Sequence, residues 1–186
     1  MPLSPANPVT GAGGLLRSDD TMSAMTAPAV LLFMMAFAGI GDFLTFRIPN
    51  WLSAAVAIAF FPMAWMTGMP LDMIGMHTAA GAVLLVLGFA LFAGGIFGGG
   101  DAKLMAAAAM WFGFADVTSF LVYTILAGGV LGLAISLWNV IEIDAEVRGI
   151  GWMKALFKHK PDIPYGLAFA AGAAFALPGS WWMAQV

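Results

Sequence analysis

Long apolar runs dominate this chain of 186 residues and leave little of it able to face water. Hydrophobic residues make up 62% of the chain and charged residues only 9%, whereas a soluble domain carries about a quarter charged residues. A helix that crosses a bilayer needs ~20 mostly apolar residues. The sequence therefore predicts an all-α, polytopic membrane protein and excludes a soluble domain with a polar surface.

Six apolar runs are candidates for membrane helices. They cover roughly residues 27–46, 51–69, 74–97, 101–114, 117–141 and 163–184. The fourth is short for a bilayer core of ~30 Å at a helical rise of 1.5 Å per residue. Residues 1–26 are rich in Pro, Gly, Ala and Ser, and we expect them to form a disordered tail. The alternative is a signal peptide cleaved after "AFA" at residues 36–38, but Asp19 and Asp20 do not suit its basic start.

The basic residues indicate an orientation for six transmembrane helices. Arg47, Lys103 and four basic residues of the loop 142–162 fall on one side of the predicted spans, whereas only Arg17 falls on the other. Cytoplasmic connections carry the excess of Lys and Arg in membrane proteins. We therefore predict that the loop 142–162 is cytoplasmic and that the amino and carboxyl termini lie outside.

Two aspartates are expected at membrane depth near this cytoplasmic side. Asp42 lies about one turn before the end of the first span, and Asp101 lies at the start of the fourth. Ionisable groups at this depth are costly and mark functional sites. Two carboxyl groups at close quarters share a proton, so one acts as a base and the other as an acid. Such a pair can activate water against a peptide bond. The structural alternatives are that Asp101 is a helix N-cap and that Asp42 pairs with Arg47.

Three glycines precede Asp101. Gly98, Gly99 and Gly100 are expected to adopt backbone angles that are closed to other residues and to let an extended substrate approach the acid. Asp101 is then expected to open a helix, where backbone N–H groups favour an anion. The chain has no cysteine and two histidines. This excludes a cysteine nucleophile, a Cys-ligated zinc site and a His-rich metal site, and we expect no metal and no cofactor.

At these residues the sequence resembles the type IV prepilin peptidases, which are membrane aspartic proteases of the Gly-x-Gly-Asp class. The resemblance covers about residues 27–185. Three motifs carry it, in the family's order: Asp42 followed by Arg47-Ile48-Pro49-Asn50; Gly98-Gly99-Gly100-Asp101 followed by Lys103; and Pro164-Tyr165-Gly166.

The resemblance implies a six-helix membrane aspartic peptidase domain over residues 27–186, with Asp42 and Asp101 as catalytic residues. It places the protein in the bacterial inner membrane, with the active site near the cytoplasmic face. The implied substrate is a prepilin or prepilin-like protein, with a short basic leader followed by a hydrophobic helix. The implied partners are this substrate, the lipid bilayer and the pilus assembly machinery, and no nucleic acid is expected.

A further set of residues is predicted to bind substrate or to support the site. Lys103 and Arg47 have the alternative role of membrane-surface anchors. Pro49 and Asn50 suit the turn into the second span. The members of this set are Gly98, Gly99, Gly100, Lys103, Arg47, Pro49, Asn50, Tyr165 and Gly166. For the last two, interfacial packing is the alternative.

The long members of the family carry an additional cytoplasmic domain with paired Cys-x-x-Cys motifs, and they also N-methylate their product. Here about four residues join the first two spans, and cysteine is absent. The chain thus resembles the short form without a methyltransferase, as in tight-adherence (Flp) pilus systems.

The residues alone also admit two other functions: a small proton- or cation-coupled transporter that uses Asp42 and Asp101, or a membrane scaffold without activity. A transporter favours acids near the midplane, whereas both of these are expected near one surface.

Overall fold

The structure, a computed structural model, describes residues 18–147 and 164–185. Over these two ranges the chain forms α-helices and no strand, which confirms the predicted all-α class. Two short 3₁₀ helices close the described part, at Leu177–Gly179 and Met183–Gln185. The α-helices of the described ranges are α1 (Ser18–Thr45), α2 (Asn50–Met66), α3 (Leu71–Ala93), α4 (Gly99–Val147) and α5 (Tyr165–Ala176).

The first helix begins earlier than the apolar pattern indicates. Residues 18–26 were expected to belong to the tail, but they are helical in α1. Residues 1–17 lie outside the described residues, as do residues 148–163, which make up most of the predicted loop 142–162. Only residues 46–49 separate α1 from α2, as the sequence indicates.

The long helix α4 is broken at Gly113. The backbone there has φ 61° and ψ −177°, a conformation that is essentially confined to glycine. The rings of Phe112 and Phe120 stack with their centroids 4.9 Å apart, although eight residues of a straight helix rise ~12 Å. The chain therefore reverses at Gly113, and α4 consists of a first arm (residues 99–112) and a second arm (residues 114–147).

The second arm of α4 returns along α5 in the opposite direction. Near the reversal, Asp116 accepts a hydrogen bond from the backbone N–H of Trp181, which follows α5 in the chain. Further along the arm, a Cβ at Gly128 would lie 3.6 Å from the Cβ of Ala168, in the first turn of α5. The two arms of α4 thus correspond to the fourth and fifth apolar runs, which the sequence separates at this point.

Three stretches of the described chain are long and apolar enough to cross a membrane: Met25–Thr45, Leu71–Ala93 and Gly99–Trp138. Asn50–Met66 and Tyr165–Gly179 are apolar but shorter. The last run is shorter than expected, because α5 ends at Ala176 and a 3₁₀ helix that contains Pro178 follows it. These helices support a helical membrane protein. The number of crossings and the side of each terminus stay predictions.

The first arm of α4 is the centre of the helical bundle. Every residue from Leu104 to Phe112 is buried. By contrast, large apolar side chains such as Phe33, Trp65 and Val86 are exposed on the surrounding helices, as lipid contact would favour. Because the first arm begins at Gly99, this buried helix holds Asp101 at one end of the bundle.

Candidate active site

Asp42 lies in the last turn of α1, which ends at Thr45. The side chain is only 5% exposed. The backbone N–H of Gly166, in the first turn of α5, donates a hydrogen bond of 2.7 Å to Asp42 Oδ2. The first N–H groups of a helix have no partner within that helix, so α5 supplies a natural donor to this buried carboxyl group. Asp42 therefore bonds to the backbone of Gly166, and not to Arg47 as the structural alternative proposed.

Gly166 lies so close to Asp42 that a side chain does not fit between them. A Cβ at Gly166 would lie 2.7 Å from the Cβ of Asp42 and 3.0 Å from Oδ2. One turn earlier in α1, a Cβ at Gly39 would lie 3.1 Å from the carbonyl oxygen of Gly166. The sequence predicted a role for Gly166 but not for Gly39. The one feature that could have indicated Gly39 is its position three residues before Asp42, on the same helix face. These two glycines let α1 and α5 approach closely at the carboxyl group.

Asp101 is the third residue of α4, which begins at Gly99. It lies in the first turn of the helix, as expected, but not at the N-cap position that the structural alternative proposed. Its carboxyl group lies back over the backbone of Gly98, the residue before the helix, as the third-position acid of a capping box does. The carboxyl group folds back so far that a Cβ at Gly98 would lie 2.6 Å from Oδ2.

The glycines before Asp101 matter for their size and not for unusual backbone angles. None of Gly98, Gly99 and Gly100 has a positive φ, so the expectation of angles closed to other residues is wrong. A Cβ at Gly100 would lie 3.1 Å from the carbonyl oxygen of Ile48 and 3.2 Å from its Cβ. The absence of a side chain therefore lets the α1–α2 turn pack against the start of α4.

The two aspartates line one cavity of about 560 Å³. Their charges are near enough to interact with each other. The cavity lies between the end of α1, the turn into α2 and the start of α4. Its lining residues are Asp42, Thr45, Phe46, Arg47, Ile48, Pro49, Asn50, Gly98, Gly99, Gly100 and Asp101. The fold thus brings the first two sequence motifs into one site.

Two of the predicted supporting residues lie beside this cavity without lining it. Lys103 Nζ donates a hydrogen bond of 2.8 Å to Oδ1 of Asn50, which connects the first arm of α4 to the start of α2. Tyr165 packs against Phe97, with the ring centroids 5.5 Å apart. Phe97 immediately precedes the glycines, so this contact joins the α3–α4 turn to the start of α5, where Gly166 holds Asp42.

The sequence did not single out Phe46, although it lies inside the first motif and lines the cavity. Its φ of 51° is uncommon for a residue other than glycine. Before it, the hydroxyl of Thr45 donates to the carbonyl oxygens of Gly41 at 2.8 Å and Arg47 at 3.2 Å. These bonds hold the chain where α1 ends and the turn begins. Phe46 lies between Asp42 and Arg47, two residues of the first motif, and this position could have indicated that it belongs to the site.

His77 lies at the other end of the first arm. Its Nδ1 is 2.8 Å from the carbonyl oxygen of Met110, and its ring stacks on Phe60 with centroids 5.7 Å apart. It is buried near the start of α3, and these contacts give it a packing role. Within residues 18–147 and 164–185, no group of three His, Asp or Glu side chains could hold a metal ion.

Comparison with known proteins connects this geometry to a family. The family model of the type IV leader peptidases matches residues 29–133, more than half of the chain. The matched range contains Asp42, Asp101 and the whole cavity lining, and it ends before α5. No match is found among the curated proteins or the solved structures. The match over most of the bundle shows that the chain belongs to the type IV leader peptidase family.

Proposed function

We propose that this protein is a prepilin leader peptidase in which Asp42 and Asp101 together activate a water molecule against the scissile peptide bond. The observation that carries the proposal is the shared cavity: the aspartates of two separate motifs line one space. Family membership supplies the reaction class, which is that of a peptidase. The aspartic mechanism is the part that we add.

The proposed reaction needs one ionised and one neutral carboxyl group. The ionised group removes a proton from water, and the water oxygen bonds to the carbonyl carbon of the substrate. The neutral group gives its proton to the carbonyl oxygen, which produces a tetrahedral intermediate. When the C–N bond breaks, a carboxyl group protonates the departing amine, and the other carboxyl group takes up a proton from the intermediate. The site is thereby ready for another water molecule.

The surroundings of the two carboxyl groups support such a pair. The carboxyl group of Asp42 accepts a hydrogen bond from the backbone N–H of Gly166 in the first turn of α5, and Asp101 lies in the first turn of α4. Donors of this kind are fixed by the helix and do not have to reorganise during the reaction. In a coupled pair of carboxyl groups, the shared proton belongs to the pair and not to one residue.

The substrate that we propose is an Flp-type prepilin or a prepilin-like protein, cut between its short basic leader and its hydrophobic helix. Both aspartates lie near helix ends on one side of the bundle, which supports cleavage at a membrane surface. The basic residues of the sequence favour the cytoplasmic surface. We further propose that the enzyme has no N-methyltransferase activity, because four residues link α1 to α2 and the chain has no cysteine.

Co-expression with an epitope-tagged Flp-type prepilin tests the proposal. We expect the wild-type enzyme to shorten the prepilin, and Asp101→Asn to leave it uncut at an equal level of membrane-inserted enzyme. Asp72→Asn is the matched control, because Asp72 is exposed in the first turn of α3 and lies outside the cavity. A purified Asp101→Asn enzyme that cuts at a rate near that of the wild type would refute the aspartic mechanism.

A further inference from the structure

A second cavity, of about 390 Å³, forms a groove between α2 and α3. Each of three helices contributes four residues at positions i, i+3, i+4 and i+7: from Asn50 to Ala57 on α2, from Thr78 to Leu85 on α3, and from Lys103 to Met110 on α4. This spacing places each set on one helix face. The groove is therefore about 10 Å long, or two helical turns.

Small residues form much of this groove. Ala106 and Ala107 of α4 are buried and lie at its floor, whereas Ala54 of α2 and Ala82 of α3 are exposed on its walls. In membranes, small side chains are enriched where helices approach each other closely. The groove therefore suits the apolar face of one additional helix.

Ser53 is a second feature of the groove that suits a bound chain. The residue is only 4% exposed, and its Oγ has no hydrogen-bond partner among the residues that the structure describes. Serine in a membrane helix ordinarily bonds to a backbone carbonyl or to a neighbouring helix. Buried polar groups without a partner are rare. Because Ser53 lines the groove, a bound chain can supply the missing partner once the enclosed Oγ rotates towards it.

The groove is continuous with the catalytic cavity. Asn50 lines both spaces. At this junction Lys103 donates one hydrogen bond to Asn50, and an ammonium group has three donors. A chain that leaves the cavity past Asn50 therefore meets a cation first and the apolar groove next.

We propose that this groove binds the hydrophobic helix of the substrate, through about the first two turns that follow the cleaved bond. The inference rests on the proposed function, because the apolar helix after the cleavage site is a feature of the proposed prepilin substrate. The cavity holds the scissile bond in an extended chain, and the groove holds the helix that follows. Recognition of the helix beside the cavity positions the bond against Asp42 and Asp101.

Photo-crosslinking tests the inference on the full-length enzyme in membranes. The photoreactive residue p-benzoylphenylalanine replaces either Leu85, which lines the groove, or Val86, which is 72% exposed and lies outside it. The enzyme carries Asp101→Asn so that a tagged Flp-type prepilin is retained uncut. We expect adducts from position 85, mapped to the first turns of the prepilin helix, and few from position 86. Lipid adducts alone at position 85, or equal prepilin adducts at both positions, would overturn the inference.

Kinetics provide a second readout that does not depend on crosslinking. Ala82→Phe fills the groove, and Val83→Phe adds the same ring at a neighbouring exposed position outside it. We expect Ala82→Phe to raise KM for the purified prepilin by about fivefold or more with kcat nearly unchanged, as for a loss of uniform binding, and Val83→Phe to resemble the wild type. Equal KM values for the two variants would overturn the groove while leaving the peptidase intact. A wild-type enzyme that cuts no prepilin would instead overturn the proposed function and this inference together.

Discussion

The backbone N–H of Gly166 donates a 2.7 Å hydrogen bond to the carboxyl group of Asp42, across 124 positions of sequence. This bond connects the last turn of α1 to the first turn of α5. It makes α5 part of the site, although the family match ends at residue 133. The position of Asp42 therefore depends on a helix that contributes no side chain to the cavity lining.

Gly166→Ala is expected to reduce prepilin cleavage by at least about tenfold, because small displacements of catalytic groups are costly. The added methyl carbon would lie 2.7 Å from the Cβ of Asp42, so one of the two helices has to move. Initial rates with purified enzyme measure the effect. Gly41→Ala is the control, because a Cβ at Gly41 meets no atom of the described residues within 4 Å, even though Gly41 is adjacent to Asp42. Equal activity of the two variants would show that the Gly166 contact does not position Asp42.

Lys103 and Asn50 form a 2.8 Å hydrogen bond between α4 and α2 at the edge of the cavity. Both are exposed, so water can replace either partner. We expect Lys103→Ala and Asn50→Ala each to lower cleavage several-fold without abolishing it. The double variant is expected to resemble the singles, because both changes break one interaction. Multiplied losses in the double variant would show that the two residues act separately.

The local motifs predicted much of the site, because each motif is short in sequence and lies where helices begin or end. Asp42 and Asp101 were expected at the same level of the membrane, and they line one cavity. Contacts between distant segments were not predictable. The approach of Gly39 to Gly166 depends on how α1 and α5 pack, and no spacing in either segment specifies its partner.

Local conformation was predicted less well than the location of the site. The run Gly98–Gly100 suggested unusual backbone angles, but glycine is also used where a neighbouring backbone comes close, and Gly100 against Ile48 is such a case. The early start of α1 at Ser18 was not predicted, because residues 18–26 are mostly Ser, Thr and Asp, which rank below Ala and Met as helix formers. The pattern of apolar residues predicts which part of a helix is buried or in contact with lipid, but it does not predict the residue at which the helix begins.

Gly113→Ala is expected to destabilise the folded protein by about 2 kcal/mol or more, because a conformation this rare outside glycine is strained for alanine. The backbone has φ 61°, and the added Cβ would also lie 2.6 Å from the ring of His77. Thermal unfolding in detergent measures the loss. Gly129→Ala is the matched change in the second arm, where a Cβ meets nothing within 4 Å in the part of the chain that the structure describes. It should leave stability unchanged or slightly raise it, since alanine favours helix. Equal melting temperatures for both variants would contradict the reversal at Gly113.

The predicted orientation can be tested with single cysteines, because the chain has none of its own. We expect a cysteine at Lys158 to be protected from a membrane-impermeant maleimide in intact cells and to react after the cells are opened. A cysteine at Asp72, which is exposed at the start of α3, should react from outside. Labelling of intact cells at position 158 but not at position 72 would invert the topology and move the proposed cleavage to the outer surface.

Asp42→Asn and Asp101→Asn should each abolish cleavage, and the double variant should be no less active than either single one. Residues that act as one unit lose their function when one member is removed, so their effects do not add. The two carboxyl groups interact electrostatically and line the same cavity, which is the arrangement that such a unit requires. Each variant is expected to insert into the membrane, because an amide is less costly to bury than an ionised carboxyl group. Single-turnover cleavage of a tagged prepilin, with enzyme in excess, gives the sensitivity that this comparison needs.

The two aspartates would contribute independently if both single variants kept substantial activity and the double variant lost the product of the two effects. If both variants cut normally but lost proton-coupled uptake in vesicles, the transporter interpretation would replace the peptidase mechanism.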